Sequence, residues 1–276
     1  MLVIRDQQTS RMLISLRAQF PGSNDIDGGV LLGLNLLTDI QVSADNKTVE
    51  VGPGNRWVDV YSALAPYDLY CIGGRMKTIG VPGLSLIGGF HYLTNKYGFA
   101  MDNVVSYDVV LGNGSQVVAN ISTNPDLFWA LKGGANNFGV VTKFVLKTLP
   151  IPQISTTLQV FNESVVREFI EATVDLAKNQ DPEIGAGSII TISYNTTSRE
   201  TTAVLRGVQE GTESPPSSFN KFSQLPSVLS QNAVQRPIDF HAQLDSPFQM
   251  FRYGSRSPLR LNQLARDWPL LIIRWR

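Results

Sequence analysis

A single cysteine in 276 residues, Cys71, excludes an intrachain disulfide and any cysteine-built zinc or iron–sulfur centre. Histidine is almost as scarce. His91 and His241 are the only two, too few for a histidine-built metal site, so metal-free chemistry is expected. Neither sign of charge is in excess: 23 Lys and Arg balance 23 Asp and Glu, which leaves no basic face for nucleic acid. Long apolar runs are missing too. A bilayer span needs ~20 residues, and the stretch from Trp268 to Trp275 is short and interrupted by Arg274. No nucleic-acid or membrane partner is therefore expected. The opening Met1-Leu2-Val3-Ile4-Arg5-Asp6 lacks the basic and then apolar regions of a secretory leader. Five N-x-S/T sequons, at Asn46, Asn113, Asn120, Asn162 and Asn195, lean mildly toward secretion. Localisation stays open between a protein kept inside the cell and one whose true amino terminus lies upstream.

What the chain does have is glycine, crowded between Gly73 and Val141. The segment runs through Gly73-Gly74-Arg75, Gly80-Val81-Pro82-Gly83, Gly88-Gly89, Tyr97-Gly98 and Asp102-Asn103, and closes on Asn136-Asn137-Phe138-Gly139-Val140-Val141. Glycine at this density has two physical readings. Backbone must approach a large ligand closely, or a crowded sheet needs tight turns and bulges. Composition alone slightly favours the second.

The flanking pattern is readable. Ile40 to Val42 and Thr48 to Val51 form a predicted hairpin around Ala44-Asp45-Asn46-Lys47. Trp57 to Leu64 has helical spacing, with Val58, Tyr61 and Leu64 on one face and Asn55 as the expected cap. Leu69 to Ile72 reads as a strand. Val104 to Leu111 and Val117 to Asn120 pair across Asn113-Gly114. Pro125 opens a helix whose Phe128 and Trp129 are expected in the core, and Val140 to Thr148 is the next strand. Pro150-Ile151-Pro152 marks a change of character. Beyond it lie an amphipathic helix at Val165 to Ala177 and strands at Gly187 to Tyr194 and Thr202 to Arg206. From about residue 228 no pattern is legible.

Taken in order and spacing, the glycine-rich pieces resemble the FAD-binding domain of the vanillyl-alcohol-oxidase and p-cresol-methylhydroxylase (PCMH) superfamily, most of all fungal berberine-bridge-enzyme-like oxidases. The resemblance starts near Pro21-Gly22 and is good from Ile26 to about Pro150, roughly half of the chain. It implies an α+β protein: a PCMH-type FAD-binding domain over residues 1–149, then the start of an antiparallel-sheet substrate domain over 150–276. By the same resemblance the FAD would lie against Gly73, Gly74, Arg75, Gly80, Gly83, Gly88, Gly89, Tyr97, Gly98, Asn103, Gly139, Val140 and Val141. Arg75 would then pair with phosphate oxygens, a surface arginine being the equal alternative.

Two departures from the family matter. The Arg-x-Gly-Gly-His loop that holds pyrophosphate and often carries a covalent flavin bond should fall near residues 13–17, where the sequence is Leu13-Ile14-Ser15-Leu16-Arg17. Met76 stands where plant members place a second flavin-linking cysteine, and Ile87 replaces the first of three glycines. FAD is therefore expected to be held non-covalently. The implied activity is hydride transfer from an alcohol or C–H carbon of a small molecule to flavin, with O2 as acceptor. A truncated, inactive remnant is the alternative, and a carbohydrate-binding or structural domain a weaker third. No catalytic base is assigned; Tyr92 and Tyr97 are the phenols nearest the glycine motifs. His91 is read by default as a neutral, satisfied histidine.

Overall fold

A computed structural model of the chain describes residues 12–15 and 30–244, all of which belong to one compact unit. Strands β1 (Met12–Ser15) and β2 (Val30–Gly33) pair in parallel. The chain then makes the predicted hairpin, β3 (Ile40–Val42) and β4 (Thr48–Val51). Its turn is held by Asp45, whose carboxylate accepts from the Ser43 hydroxyl at 2.7 Å and the Lys47 N–H at 3.1 Å.

Helix α1 (Trp57–Leu64) follows and buries Trp57, Val60, Tyr61 and Leu64. Tyr61 and Leu64 face inward as expected, but Trp57 and Val60 complete the stripe and Val58 is only half-buried. Asn55 does not cap the helix. Its amide donates to the Gly52 carbonyl at 3.0 Å, while the Asp59 carboxylate reaches back to the Arg56 N–H at 2.8 Å. An acidic group there also complements the helix dipole.

The expected strand at Leu69 to Ile72 is reduced to one bridge, Tyr70 with Leu149. Two short helices, α2 (Val81–Ser85) and α3 (Thr94–Tyr97), punctuate the glycine segment. After them come β5 (Val104–Val110), β6 (Gln116–Asn120), helix α4 (Pro125–Leu131) and β7 (Val140–Lys147). The first sheet is fully antiparallel in the order β3-β4-β7-β5-β6. Phe128 is buried against it, but Trp129 is 79% exposed, contrary to expectation. A seven-residue helix has one inward stripe, and Phe128 and Leu131 fill it.

The change of sheet falls between Lys147 and Ile154. Strand β8 (Ile154–Phe161), helix α5 (Val166–Lys178), and strands β9 (Ala186–Asn195) and β10 (Glu200–Glu210) build a second antiparallel sheet. Phe169 and Ala172 of α5 pack on Phe161, Ala203 and Leu205, and Phe219 and Phe222 close the cluster. Ile170 and Val174 on the same helix stay nearly half exposed.

The loss of pattern expected from about residue 228 is corrected as far as residue 244, and the remainder of that stretch lies outside the described residues. After the single turn α6 (Asn220–Ser223), strand β11 (Leu229–Gln235) pairs along β8 and helix α7 (Pro237–Ala242) follows. The sheet order is β11-β8-β10-β9. β11 is an edge strand whose first five residues are exposed, so main-chain pairing forms it and no apolar alternation announces it.

Candidate cofactor site

The glycine segment contributes β5 and β6 to the first sheet and bonds to the second through Asn95 and Tyr97, and the space around each glycine separates the two readings of that composition. Gly73 and Gly74 lie against the indole of Trp57. A Cβ on Gly73 would sit 2.0 Å from Trp57 Cε3, and one on Gly74 2.4 Å from Cδ1. Gly89 meets the Ala100 methyl at 2.6 Å, Gly98 the Asp102 carboxylate at 2.9 Å, and Gly139 the Val110 carbonyl at 2.8 Å. These five are glycine because the fold leaves no room for more. A Gly139→Val substitution, which would separate cofactor contact from turn-making if the fold tolerated it, removes both together here.

Gly80, Gly83 and Gly88 differ. A Cβ at any of them meets no atom within 4 Å. Gly80 has φ −75° and Gly83 lies in α2, backbone that any residue adopts, whereas Gly88 has φ +118°. Nothing among the described residues explains glycine at positions 80 and 83. Bare backbone facing open space suits a flat ligand laid against it. Beside this face Ile87 and Phe90 are well over half exposed, and Phe90 meets Phe99 edge to face at 5.6 Å. Thr78 Oγ1, Ser85 Oγ and Tyr92 Oη, all from the same stretch, are buried with no hydrogen-bond partner among the described residues.

Arg75 sits at the edge of this face. Its guanidinium lies over the rings of Phe90 (5.6 Å) and Tyr92 (5.8 Å), and burial lowers its affinity for its proton. No carboxylate among the described residues pairs with it. A partly buried guanidinium with ring contacts and no counter-charge is suited to an anion. Arg75 also holds the neighbouring phenol toward ionisation, but burial wins and pushes the Tyr92 hydroxyl up to about 12.

The remaining predicted residues serve the fold through their side chains. The Asn103 amide donates to the carbonyls of Tyr97 (2.8 Å) and Phe99 (2.9 Å), and Val140 and Val141 are buried in β7. The Tyr97 hydroxyl donates to the Glu210 carboxylate at 3.0 Å, where Lys96 Nζ also binds at 3.1 Å. Tyr97 is thereby committed to the second sheet.

Sequence reasoning missed a buried chain of hydrogen bonds behind the face. The Tyr70 hydroxyl lies 2.8 Å from His91 Nε2 and 2.5 Å from His241 Nε2. All three residues are essentially inaccessible. Burial holds both imidazoles neutral, His91 well below the ordinary range and His241 down to about 4. His91 is thus the satisfied neutral histidine expected by default. Tyr70 stands 21 positions from His91 and 171 from His241 in sequence, so no local pattern signals the three together. Among the described residues no group of three or more His, Cys, Asp or Glu is placed to hold a metal, and no helix is long and apolar enough to cross a membrane.

Known proteins share this fold. A family profile described as an FAD binding domain matches residues 8–120. The FAD-dependent monooxygenase prx3 of Penicillium roqueforti is 36% identical over 221 residues, covering 79% of this chain and 43% of the relative. In fold, the chain is similar to 6-hydroxy-D-nicotine oxidase of Arthrobacter nicotinovorans, with TM-score 0.73, 24% identity, and coverage of 83% of this chain and 52% of that one. It is similar also to a variant of berberine bridge enzyme, with TM-score 0.74, 19% identity and coverage of 87% and 50%. The fold is that of the PCMH-type FAD-binding proteins. The chain thus carries an FAD binding domain and is similar in sequence to FAD-dependent oxidoreductases, and it spans about half the length of the relatives it matches.

Proposed function

We propose that this chain is the FAD-holding part of an oxidoreductase that acts on a small organic substrate, with an alcohol or C–H carbon as hydride donor and O2 as acceptor. The observation that carries the reading is the open backbone at Gly80 and Gly83 beside an Arg75 guanidinium with no counter-charge. Bound FAD would supply hydride acceptance, chemistry that no side chain here offers. The protein's share is placement. Gly80, Gly83 and Gly88 keep the face flat, Arg75 offers a charge to the dinucleotide's anionic part, and Thr78 and Ser85 bring unused hydroxyls. Met76 stands beside this loop and no cysteine lines it, since Cys71 is buried in the core; the cofactor is held without a covalent bond. Acid precipitation should accordingly leave yellow flavin in the supernatant, and flavin that stays in the pellet would sink that part of the reading.

Substitution separates cofactor contact from packing. A Cβ at Gly80 or Gly83 meets no described atom within 4 Å, so in Gly80→Leu and Gly83→Leu circular dichroism and the urea midpoint should stay near wild type, within about 0.5 kcal/mol. FAD retention should nevertheless fall at least tenfold, roughly 1.4 kcal/mol of binding. Retention of flavin by both leucine variants would show that the face is not where FAD lies. Turnover of an alcohol with O2 uptake by the flavin-loaded protein tests the activity itself.

A further inference from the structure

The loop that carries Arg75 is held from behind by α7. The Lys77 N–H donates to the Leu244 carbonyl at 3.0 Å. His241 Nδ1 lies 3.1 Å from the Arg75 carbonyl. A carbonyl oxygen only accepts, so Nδ1 carries the proton, and in a neutral ring Nε2 is then an acceptor. His91 has the opposite tautomer, because its Nδ1 accepts from the Leu93 N–H at 3.1 Å. Its Nε2–H therefore donates to the Tyr70 oxygen, and the Tyr70 O–H donates to His241 Nε2. The chain has one direction: Leu93 N–H to His91, to Tyr70, to His241, to the Arg75 carbonyl.

We propose that His241 is a positioning residue for the cofactor. Through its Nδ1–H it fixes the Arg75 backbone, and so the placement of the guanidinium over Phe90 and Tyr92. The proposal rests on the reading that FAD lies at the Arg75 face. Phe240 reinforces the brace by packing edge to face on Tyr92 at 5.6 Å. The geometry assigns no contact of His241 with the cofactor itself. Its effect passes through one peptide carbonyl.

The two ring nitrogens can be replaced one at a time. The amide of His241→Asn stands near Nδ1 and keeps a donor for the Arg75 carbonyl. The amide of His241→Gln stands near Nε2, keeping an acceptor for Tyr70 and losing the link to Arg75. Flavin fluorescence gives FAD affinity and urea unfolding of the apo protein gives stability. His241→Gln should weaken FAD binding about tenfold and His241→Asn by no more than about threefold, an order-of-magnitude contrast set by keeping or losing the hold on a charged group. In an Arg75→Met background His241→Gln should cost no further affinity. Equal weakening by both variants, or losses that follow only their stabilities, would overturn the proposal. So would a full further loss in the Arg75→Met background. Failure of the wild type to bind FAD would remove the cofactor reading as well, so the two failures are distinguishable. Should His241→Gln not fold, nitrogen-15 shifts of wild-type His241 still decide: an Nδ1–H tautomer supports the assignment and an Nε2–H tautomer refutes it.

Discussion

Gly73→Ala is expected to destabilise the apo protein by about 3 kcal/mol, the upper end of what forcing a methyl group into a filled core costs. The added Cβ would lie 2.0 Å from one side of an indole that has no exposed surface. Retreat is blocked, because Trp57 is packed within the main core beside Tyr61 and the second glycine, Gly74, faces the same ring. Trp57→Leu should relieve the conflict. In that background the added cost of Gly73→Ala should fall below about 1 kcal/mol, the signature of two residues coupled through one contact. Urea midpoints of the four proteins, measured without FAD, complete the cycle. Equal costs in both backgrounds would show that the glycine answers to something other than the indole.

Acid should weaken the fold well before its exposed carboxylates titrate. His91 and His241 are buried neutral, and burial is the main cause in each case. The groups facing them are the phenols of Tyr61, Tyr70 and Tyr92, each imidazole itself, and the Arg75 cation. No carboxylate is among them to favour imidazolium. In the unfolded chain both histidines take up a proton near pH 6.5. The folded-state values are depressed, so the histidine contribution is complete above about pH 6.5 and is lost as pH falls toward about 4. For His241 alone that range corresponds to about 3 kcal/mol, an order-of-magnitude figure at 1.36 kcal/mol per pH unit. The carboxyls of Asp45, Asp175, Glu213 and Asp239 are held below the ordinary range by their hydrogen-bond partners, so they act at lower pH. Urea midpoints between pH 7 and 4.5 should therefore fall steeply in the wild type. They should be nearly flat in a His91→Gln, His241→Asn double variant. The same slope in both would remove the histidines as its cause.

The sequence made some elements plain because their signals are local. Alternating apolar residues and the Asn113-Gly114 turn define β5 and β6, and Pro125 starts α4 where expected. β11 and α7 were illegible for the opposite reason. One is a polar edge strand that depends on β8, and the other is only six residues long. The glycine segment was legible as a distinct stretch but not in its parts. Whether a glycine answers to an indole, as at Gly73, or to open space, as at Gly80, depends on atoms many positions away. The same holds for Tyr70, whose two imidazole partners stand 21 and 171 positions away in sequence. Resemblance singled out a stretch of chain, and only packing shows which of its glycines are crowded and which face open space.

The stitching of α3 to the second sheet has a consequence for cooperativity. Glu210 gathers Tyr97 and Lys96, the Asn95 side chain binds the Ile184 carbonyl and the Ala186 N–H, and a Cβ on Gly187 would fall 2.1 Å from the Tyr92 carbonyl. Backbone this close across a seam cannot part on one side and stay folded on the other. A chain whose sequence changes character at Pro150 would ordinarily be expected to melt in two steps. Here the glycine segment belongs to both sheets at once. Local opening of the second sheet would draw Tyr92, and with it the ring beneath Arg75, into the same unfolding unit.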